Sequence, residues 1–404
     1  MAQITILGGC GAVGSIAVKA LANNDEYSEI ILADIDEEKA REIVSDIGSE
    51  KVRAMKVDVM DPKSLKKSFE GSNVILNCTG PFYKFVKPIL KAVIESGINY
   101  LDICDDVDVT LEILEMDQEA KDAGITALIG MGNSPGITNL LAKFAADDML
   151  DEIDAIDIYH AHGGEPTEGE GVIGHRFHCM SIDIPMFLDG KMTTVKFFEE
   201  DGIALQEDVD FHLLGDKIRV YPYPHPEQVT LPNYIKADRV TNKGTVLPDE
   251  YYELIKDICR LGMGDKEPIA VKECEISPYD FATAYIIKQR EKILKETGFG
   301  SQRGCVKIVA TGTKDGEYRQ FVFQLASKSQ ALGEGTGIPA AIGAILMNRG
   351  KITEKGVLPP EGCVNPLDFI GMIQSVAKRD KDEDSFEVII ESIDKDGNVQ
   401  RLSL

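Results

Sequence analysis

Positive charge is scarce in this 404-residue chain: 43 Lys and Arg face 68 Asp and Glu, for a net charge of −25. A surface this acidic repels phosphate backbones and anionic lipid, which argues against nucleic acid and membrane surfaces as partners. Long apolar runs are missing too, and none approaches the roughly 18 residues of a membrane span. The opening Met1-Ala2-Gln3-Ile4-Thr5-Ile6-Leu7 has no basic n-region and too short an apolar stretch for a signal peptide, so a cytoplasmic location is expected. Cysteine is sparse, and no two of the eight form a C-x-x-C. That excludes a disulfide scaffold, zinc ribbons and thioredoxin-like motifs, and leaves thiols that are reduced and mostly buried. There is no internal repeat, and Gly and Pro usage is ordinary. What remains, 43% hydrophobic and 27% charged, suffices to bury cores in two or three domains.

The first third alternates strand and helix. The run at 4–7 reads as a buried parallel strand, and further strands are expected at 30–33, 52–57, 74–76, 100–103 and 126–129. Helical stretches lie between them at 13–21, 37–47, from 61–62, at 86–96 and up to Gly124. Six strands joined by helices predict a Rossmann-type doubly wound parallel sheet over residues 1–140. Residues 141–332 change to alternating strand-like stretches, such as 155–160, 306–311 and 318–325, with helices near 251–261 and 279–295. Lys314-Asp315-Gly316 signals a hairpin turn. This predicts a second, α+β domain for substrate and dimerisation. Residues 333–374 are helical again and read as a return segment to the nucleotide domain. Residues 375–404 read as a charged linker, Lys378-Arg379-Asp380-Lys381-Asp382-Glu383-Asp384, then a terminal hairpin around Asp396-Gly397.

The chemistry begins where the first strand meets the first helix. Gly8-Gly9-Cys10-Gly11-Ala12-Val13-Gly14 contains G-x-G-x-x-G at Gly9, Gly11 and Gly14. Gly9 is assigned the tight turn, Gly11 the close approach of a pyrophosphate, and Gly14 the packing of helix on strand. N–H groups at the helix start, around Ala12 and Val13, face the phosphates. Cys10, beside that helix N-terminus, sits where a thiol pKa is lowered, although its first reading is a small residue filling the turn. Asp34 ends the second strand, about twenty residues on, where a carboxylate accepts both ribose hydroxyls of NAD. A 2′-phosphate would meet Asp34, Asp36, Glu37 and Glu38 before the first cation, Lys39, so NAD is favoured over NADP. Asp58 and Val59 follow the third strand, where the adenine would lie. Cys78, Thr79, Gly80 and Pro81 follow the fourth, at the switch point expected to hold the nicotinamide half.

Several stretches resemble the saccharopine dehydrogenase-like family. They are Asn77-Cys78-Thr79-Gly80-Pro81, the run from Met116 to Thr126, and Gly132-Asn133-Ser134-Pro135-Gly136-Ile137-Thr138-Asn139. Sparser matches follow at Gly163-Gly164-Glu165-Pro166, Asp189-Gly190-Lys191 and Thr336-Gly337-Ile338-Pro339. The resemblance implies an NAD(P)-linked hydride transfer at a carbon–nitrogen bond, with an amino acid or carboxylated polyamine as substrate, and a homodimer. The chain departs from the saccharopine branch at Ser134, where that branch has Asp, and at Thr138-Asn139, where it has Asp-His. The chain also has no Trp, and Phe177-His178-Cys179-Met180 stands at the matching stretch. It looks closer to the polyamine-related and lysine dehydrogenase branches.

Four residues stand as candidates for the chemistry: Asp102 and Tyr83 near strand ends, His225 in Pro222-Tyr223-Pro224-His225-Pro226-Glu227, and Arg176 as the grip for a substrate carboxylate. Asp105, Lys84 and Arg303 are weaker alternatives. His160, His162, His175 and His178 cluster in sequence, but no matching carboxylate or cysteine spacing supports a metal, and none is expected. The competing class is a dinucleotide-binding sensor without turnover.

Overall fold

The computed structural model describes residues 2–165, 168–328, 333–376 and 386–402. The chain forms two units: Met1–Met149 with His225–Lys236 and Leu332–Glu383, and Leu150–Pro224 with Ala237–Ala331 and Asp384–Leu404. The charge run at 378–384 lies outside the described residues.

In the first unit β1 (Gln3–Leu7), β2 (Glu29–Asp34), β3 (Val52–Lys56), β4 (Val74–Asn77), β5 (Asn99–Asp102) and β6 (Thr126–Leu128) form a wholly parallel sheet. A seventh strand, Gly356–Leu358, joins it beside β6, and the order runs seventh, β6, β5, β4, β1, β2, β3. The reversal at β1 and β4 makes the doubly wound switch point. β4 is buried along its length, which is why it reads as one apolar run. Leu7, Ile75, Tyr100 and Ala127 pack there against Val86, Ile89, Leu90 and Val93 of helix Phe82–Ser96. Two expectations are corrected. Six strands become seven, because Gly356–Leu358 is three residues opened by a glycine and carries no readable period. The helix expected at 86–96 starts a turn earlier, since Phe82-Tyr83-Lys84-Phe85 shows no helical spacing of apolar residues.

The second unit is built on a mixed ten-stranded sheet. Its centre is Glu152–Gly163, parallel to Arg239–Leu247 on one side and antiparallel to Arg303–Lys314 on the other. The anticipated hairpin pairs Arg303–Lys314 with Glu317–Ser327, turning through Asp315 and Gly316 at φ +54 and +76. The terminal hairpin Phe386–Asp394 and Val399–Leu402 extends the same sheet beyond Glu317–Ser327. Helices Glu170–Ser181, Asp249–Arg260 and Pro278–Glu296 share one core with it, through Ile173, Phe177, Tyr251, Ile255 and Ile286. Among the described residues, no helix is long and apolar enough to cross a membrane.

Candidate functional site

The ends of β1, β2 and β4 converge on the glycine loop. Gly8, at φ +72, takes the left-handed turn that the sequence had assigned to Gly9. A Cβ on Gly8 would lie 2.8 Å from the Cys78 carbonyl oxygen, so only glycine lets β4 approach so closely. Gly9 instead makes room for the Leu32 side chain, and Gly14 lets helix Ala12–Ala22 sit on the loop, its missing Cβ lying 2.3 Å from the Gly8 carbonyl oxygen. Gly11 is exposed at the helix N-cap, where a Cβ would meet only the Gly8 oxygen, at 3.3 Å.

Asp34 is tied into this loop: its carboxylate accepts from the backbone N–H of Cys10 at 2.9 Å and of Asp36 at 3.1 Å. Burial, and then the Asp34 charge, push the Cys10 thiol up to about 12. This overturns the lowered pKa that the helix N-terminus suggested and leaves Cys10 as a turn filler. Asp58 is exposed and caps its own loop by accepting from Met60 N–H at 2.9 Å, with Val59 half-buried beside it. The Cys78 thiol is pushed up to about 12 by burial and, second, by Asp102. Thr79 Oγ1 is buried with no hydrogen-bond partner among the described residues, although the Thr79 N–H is bonded to Asn77 Oδ1. Gly80 and Pro81 follow, both exposed. An orphaned hydroxyl, an exposed glycine that leaves space and a helix N-terminus together fit the pyrophosphate and nicotinamide half of a dinucleotide.

Two expected catalytic residues sit at opposite extremes of exposure. Asp102 is fully buried and satisfied by protein groups: Oδ1 accepts from Gly130 and Cys104 N–H at 2.8 and 3.1 Å, and Oδ2 from Tyr100 OH at 2.9 Å. It stitches the end of β5 to the chain leaving β6. Burial raises it to about 6, against the pull of those donors. Tyr83 lies in the first turn of its helix, 67% exposed, and its backbone N–H donates to Asp106 Oδ2 at 3.1 Å.

His225 opens the segment His225–Lys236, which belongs to the nucleotide-binding unit. Its Nδ1 lies 3.1 Å from Glu227 Oε2 and 3.3 Å from Ser134 Oγ. Glu227 is fully buried, and its Oε1 accepts from Ser134 Oγ at 2.5 Å and Thr138 Oγ1 at 2.7 Å. Burial alone would raise this carboxyl, but His225, Ser134 and Thr138 outweigh it and hold the group below its ordinary range. Asn139 accepts from Gly136 N–H at 2.9 Å and donates to Glu361 Oε2 at 2.9 Å. Glu361 is pushed the other way, to about 7, by burial, with the nearby Glu227 charge adding to it. Sequence reasoning missed Glu227 as a partner and Glu361 altogether. The only signal was the proline-rich stretch around His225.

Arg176, in the second unit, is 3% exposed, and both ends of its fork are taken by Glu168, at 2.7 and 2.8 Å, with Tyr251 OH at 3.1 Å. Burial opposes the charge on Glu168, yet Arg176 brings that carboxyl down to about 2. The expected grip on a substrate carboxylate is therefore corrected to a structural clamp. Arg176→Ala should lower stability by about 3–5 kcal/mol, as removal of one partner of a buried pair does. Urea unfolding checks this, and a normal unfolding midpoint would restore the substrate role. Arg303 differs: its guanidinium sits 4.1 Å from the centre of the Phe299 ring, and its buried Nε has no partner among the described residues. Of the histidines, His160 packs edge-on to Tyr223 at 4.8 Å, His175 Nε2 lies 3.5 Å from Cys179 Sγ, His162 pairs with Glu165 at 2.7 Å, and His178 is exposed.

Comparison with known proteins agrees with the fold. Residues 4–128 match the family described as the saccharopine dehydrogenase NADP binding domain. Carboxyaminopropylagmatine dehydrogenase of Synechocystis sp. is 25% identical, over 89% of this chain and 92% of that protein. Carboxynorspermidine synthase of Vibrio cholerae is 24% identical, over 91% and 94%. The fold is shared with apo saccharopine dehydrogenase (L-Glu forming) from Saccharomyces cerevisiae, with a TM-score of 0.67 and 17% identity over 97% of this chain and 100% of that one. Over nearly its whole length, the chain is similar to the saccharopine dehydrogenase-like oxidoreductases.

Proposed function

We propose that this protein is an NAD(P)-dependent oxidoreductase that moves a hydride to or from the carbon of a carbon–nitrogen bond, in an amino acid or carboxylated polyamine. The observation that carries this reading is the nucleotide cradle of Gly8, Gly11, Gly14, Asp34 and the orphaned Thr79 hydroxyl, in a chain that is similar over 89% and 91% of its length to a carboxyaminopropylagmatine dehydrogenase and a carboxynorspermidine synthase. A bound nicotinamide dinucleotide supplies the hydride acceptor or donor. The N–H groups at the start of helix Ala12–Ala22 hold its pyrophosphate, and Gly11 lets it approach. Thr79 orients the nicotinamide half. A substrate carboxylate entering a chain of net charge −25 needs a local cation, and Arg303 keeps an unengaged donor for one. NADH absorbance with a panel of lysine, saccharopine and carboxylated polyamines tests the reaction. Tight dinucleotide binding with no turnover of any amine would support the sensor reading instead.

NAD is the proposed cofactor even though the matched family is named for NADP, because Asp34, Asp36, Glu37 and Glu38 would surround a 2′-phosphate with like charge. Asp34→Ala is expected to weaken NAD by about tenfold, as loss of a charged hydrogen bond does, and to narrow its advantage over NADP. Fluorescence titration decides it, and tighter NADP binding by the unaltered protein would sink the assignment. A homodimer is proposed as well, supported by the exposed terminal edge of the second sheet, where Val399 is 58% exposed. Light scattering at micromolar concentration should give twice the mass of one chain.

A further inference from the structure

We propose that a second copy of this chain docks on the hairpin Ile269–Val271 and Cys274–Ile276 of the second unit, the two copies pairing their Ile269–Val271 strands edge to edge about a two-fold axis. This rests on the homodimer reading given above and gives that dimer a different contact from the terminal edge at Val399.

The hairpin is a sheet of its own, turned by Lys272 and Glu273. Among the described residues its strands pair only with each other, and all six strand residues are exposed. A two-stranded hairpin is marginal in water and needs a third strand or an apolar surface to pack on. Its base is fixed to the helix Pro278–Glu296 that follows: Tyr279 N–H donates to the Asp265 carbonyl at 2.9 Å, and Lys266 Nζ lies 5.0 Å from the centre of the Tyr279 ring. The outer face of that helix continues the apolar surface. Phe281 and Tyr285 are exposed with their rings stacked at 6.2 Å, and Ile287 is exposed beyond them. Three residues of edge fall short of the roughly 800 Å² per copy that a stable contact takes, and these side chains supply more.

The edges of the sheet decide which side pairs. Cys274-Glu275-Ile276 carries Glu275, with Glu273 just before it, and a charged edge deters a further strand. The terminal edge Val399-Gln400-Arg401-Leu402 carries Arg401. Ile269-Ala270-Val271 bears no charge at all. In a hairpin turned by two residues, the flanking pair exchanges its hydrogen bonds, and the next residue aims its N–H and C=O outward; here the flanking pair is Val271–Cys274 and the next residue is Ala270. About a two-fold axis at Ala270, Ile269 of one copy faces Val271 of the other, so the contact is isologous and closes at two copies.

Charge selects the occupant. The whole chain sets 43 Lys and Arg against 68 Asp and Glu, and two copies repel over most of their surface. Residues 269–296, from the first hairpin strand to the end of the helix, carry five Lys and Arg and five Asp and Glu. Anionic lipid or nucleic acid is repelled by the rest of the protein, and a cationic partner is drawn to the acidic surface instead. An uncharged strand edge is completed by another, and the chain itself supplies one.

The test alters residues 269 and 271 in the full-length protein. Ile269→Lys with Val271→Lys sets like charges opposite each other twice across the axis, and should raise the dimer dissociation constant at least about tenfold with NAD affinity and urea unfolding unchanged. Ile269→Lys with Val271→Glu sets opposite charges there and should restore it to within about threefold. Sedimentation velocity reads both. Cys274 is exposed while the other cysteines are buried or half-buried, so a nitroxide on it reports the contact in the otherwise unaltered chain. A four-stranded sheet in this register places the two Cys274 Cα atoms about 16 Å apart, and electron–electron resonance should give about 15–30 Å between labels, lost in Cys274→Ser. An unchanged dissociation constant in the double-lysine variant, or a label distance beyond about 35 Å, would overturn this contact and leave the dimer standing, with the terminal edge or a different class of partner on the hairpin. A single-chain mass for the unaltered protein would overturn the homodimer reading itself.

Discussion

Gly11→Val is expected to abolish binding of the nicotinamide dinucleotide while leaving the fold nearly intact. Gly11 has φ −69 and ψ 166, an extended conformation that a β-branched residue adopts without strain. Its Cβ would meet only one protein atom, the Gly8 carbonyl oxygen at 3.3 Å, so the folded protein has room for it. Loss of a good N-cap residue costs about 1 kcal/mol. The branched carbons would occupy the space that a pyrophosphate needs against the loop backbone. Gly14→Val is the opposite case. Its Cβ would fall 2.3 Å from the Gly8 oxygen and 3.0 Å from Gly9 Cα, backbone atoms that cannot move aside. That variant should lose about 3 kcal/mol or more of stability. Calorimetric titration and urea unfolding separate the two. Unchanged NAD affinity in Gly11→Val would mean that the loop is not the phosphate site.

The contrast between these glycines shows what local pattern discloses. Strands β1 and β4 are buried on both faces, so they appear as bare apolar runs, and the glycine motif follows β1 directly. The place of Asp34 is legible too: it ends β2, and its carboxylate meets the glycine loop at Cys10 N–H. Gly8 was missed because its need is set by Cys78, seventy positions away, which only the parallel pairing of β1 with β4 brings close. Strand Lys191–Lys196 was missed because all but one of its residues are exposed, which leaves no apolar alternation to read. The polar partners were the least legible. Arg176 looked available for a substrate because nothing in periodicity reveals that Glu168 fills its fork. Glu227 meets Ser134 and Thr138, and Glu361 meets Asn139, across separations of 93, 89 and 222 residues. Periodicity reports which side of an element is buried. It carries no record of which buried polar group meets which.

Glu361 sets the second large effect, a pH-dependent one. Glu361→Gln is expected to stabilise the protein by roughly 2–3 kcal/mol more at about pH 8 than at about pH 5. The native carboxyl is buried on the segment Pro360–Cys363, and its Oε1 has no partner among the described residues. The groups around it among the described residues include the negative Glu227, the donors Asn139 and Thr230, and the Tyr234 and Cys363 side chains, none of them a cation that would favour its charge. It therefore keeps its proton up to about 7, against a reference of 4.5 for an unperturbed Glu. Below the lower value the folded and unfolded chains both hold the proton, and the group contributes nothing to the pH slope. Between the two values the unfolded chain has released its proton and the folded chain has not, so stability falls as pH rises. Above the upper value both are charged and the full penalty of a buried carboxylate is present. Glutamine accepts from Asn139 as the acid does but never ionises, so any fixed cost of the exchange cancels in the difference between the two pH values. Urea unfolding of both proteins at intervals from about pH 5 to about pH 8 should show a gap that opens through the neutral range. A gap that stays flat would mean that Glu361 is already ionised at low pH, with a donor on Oε1 that this network does not contain.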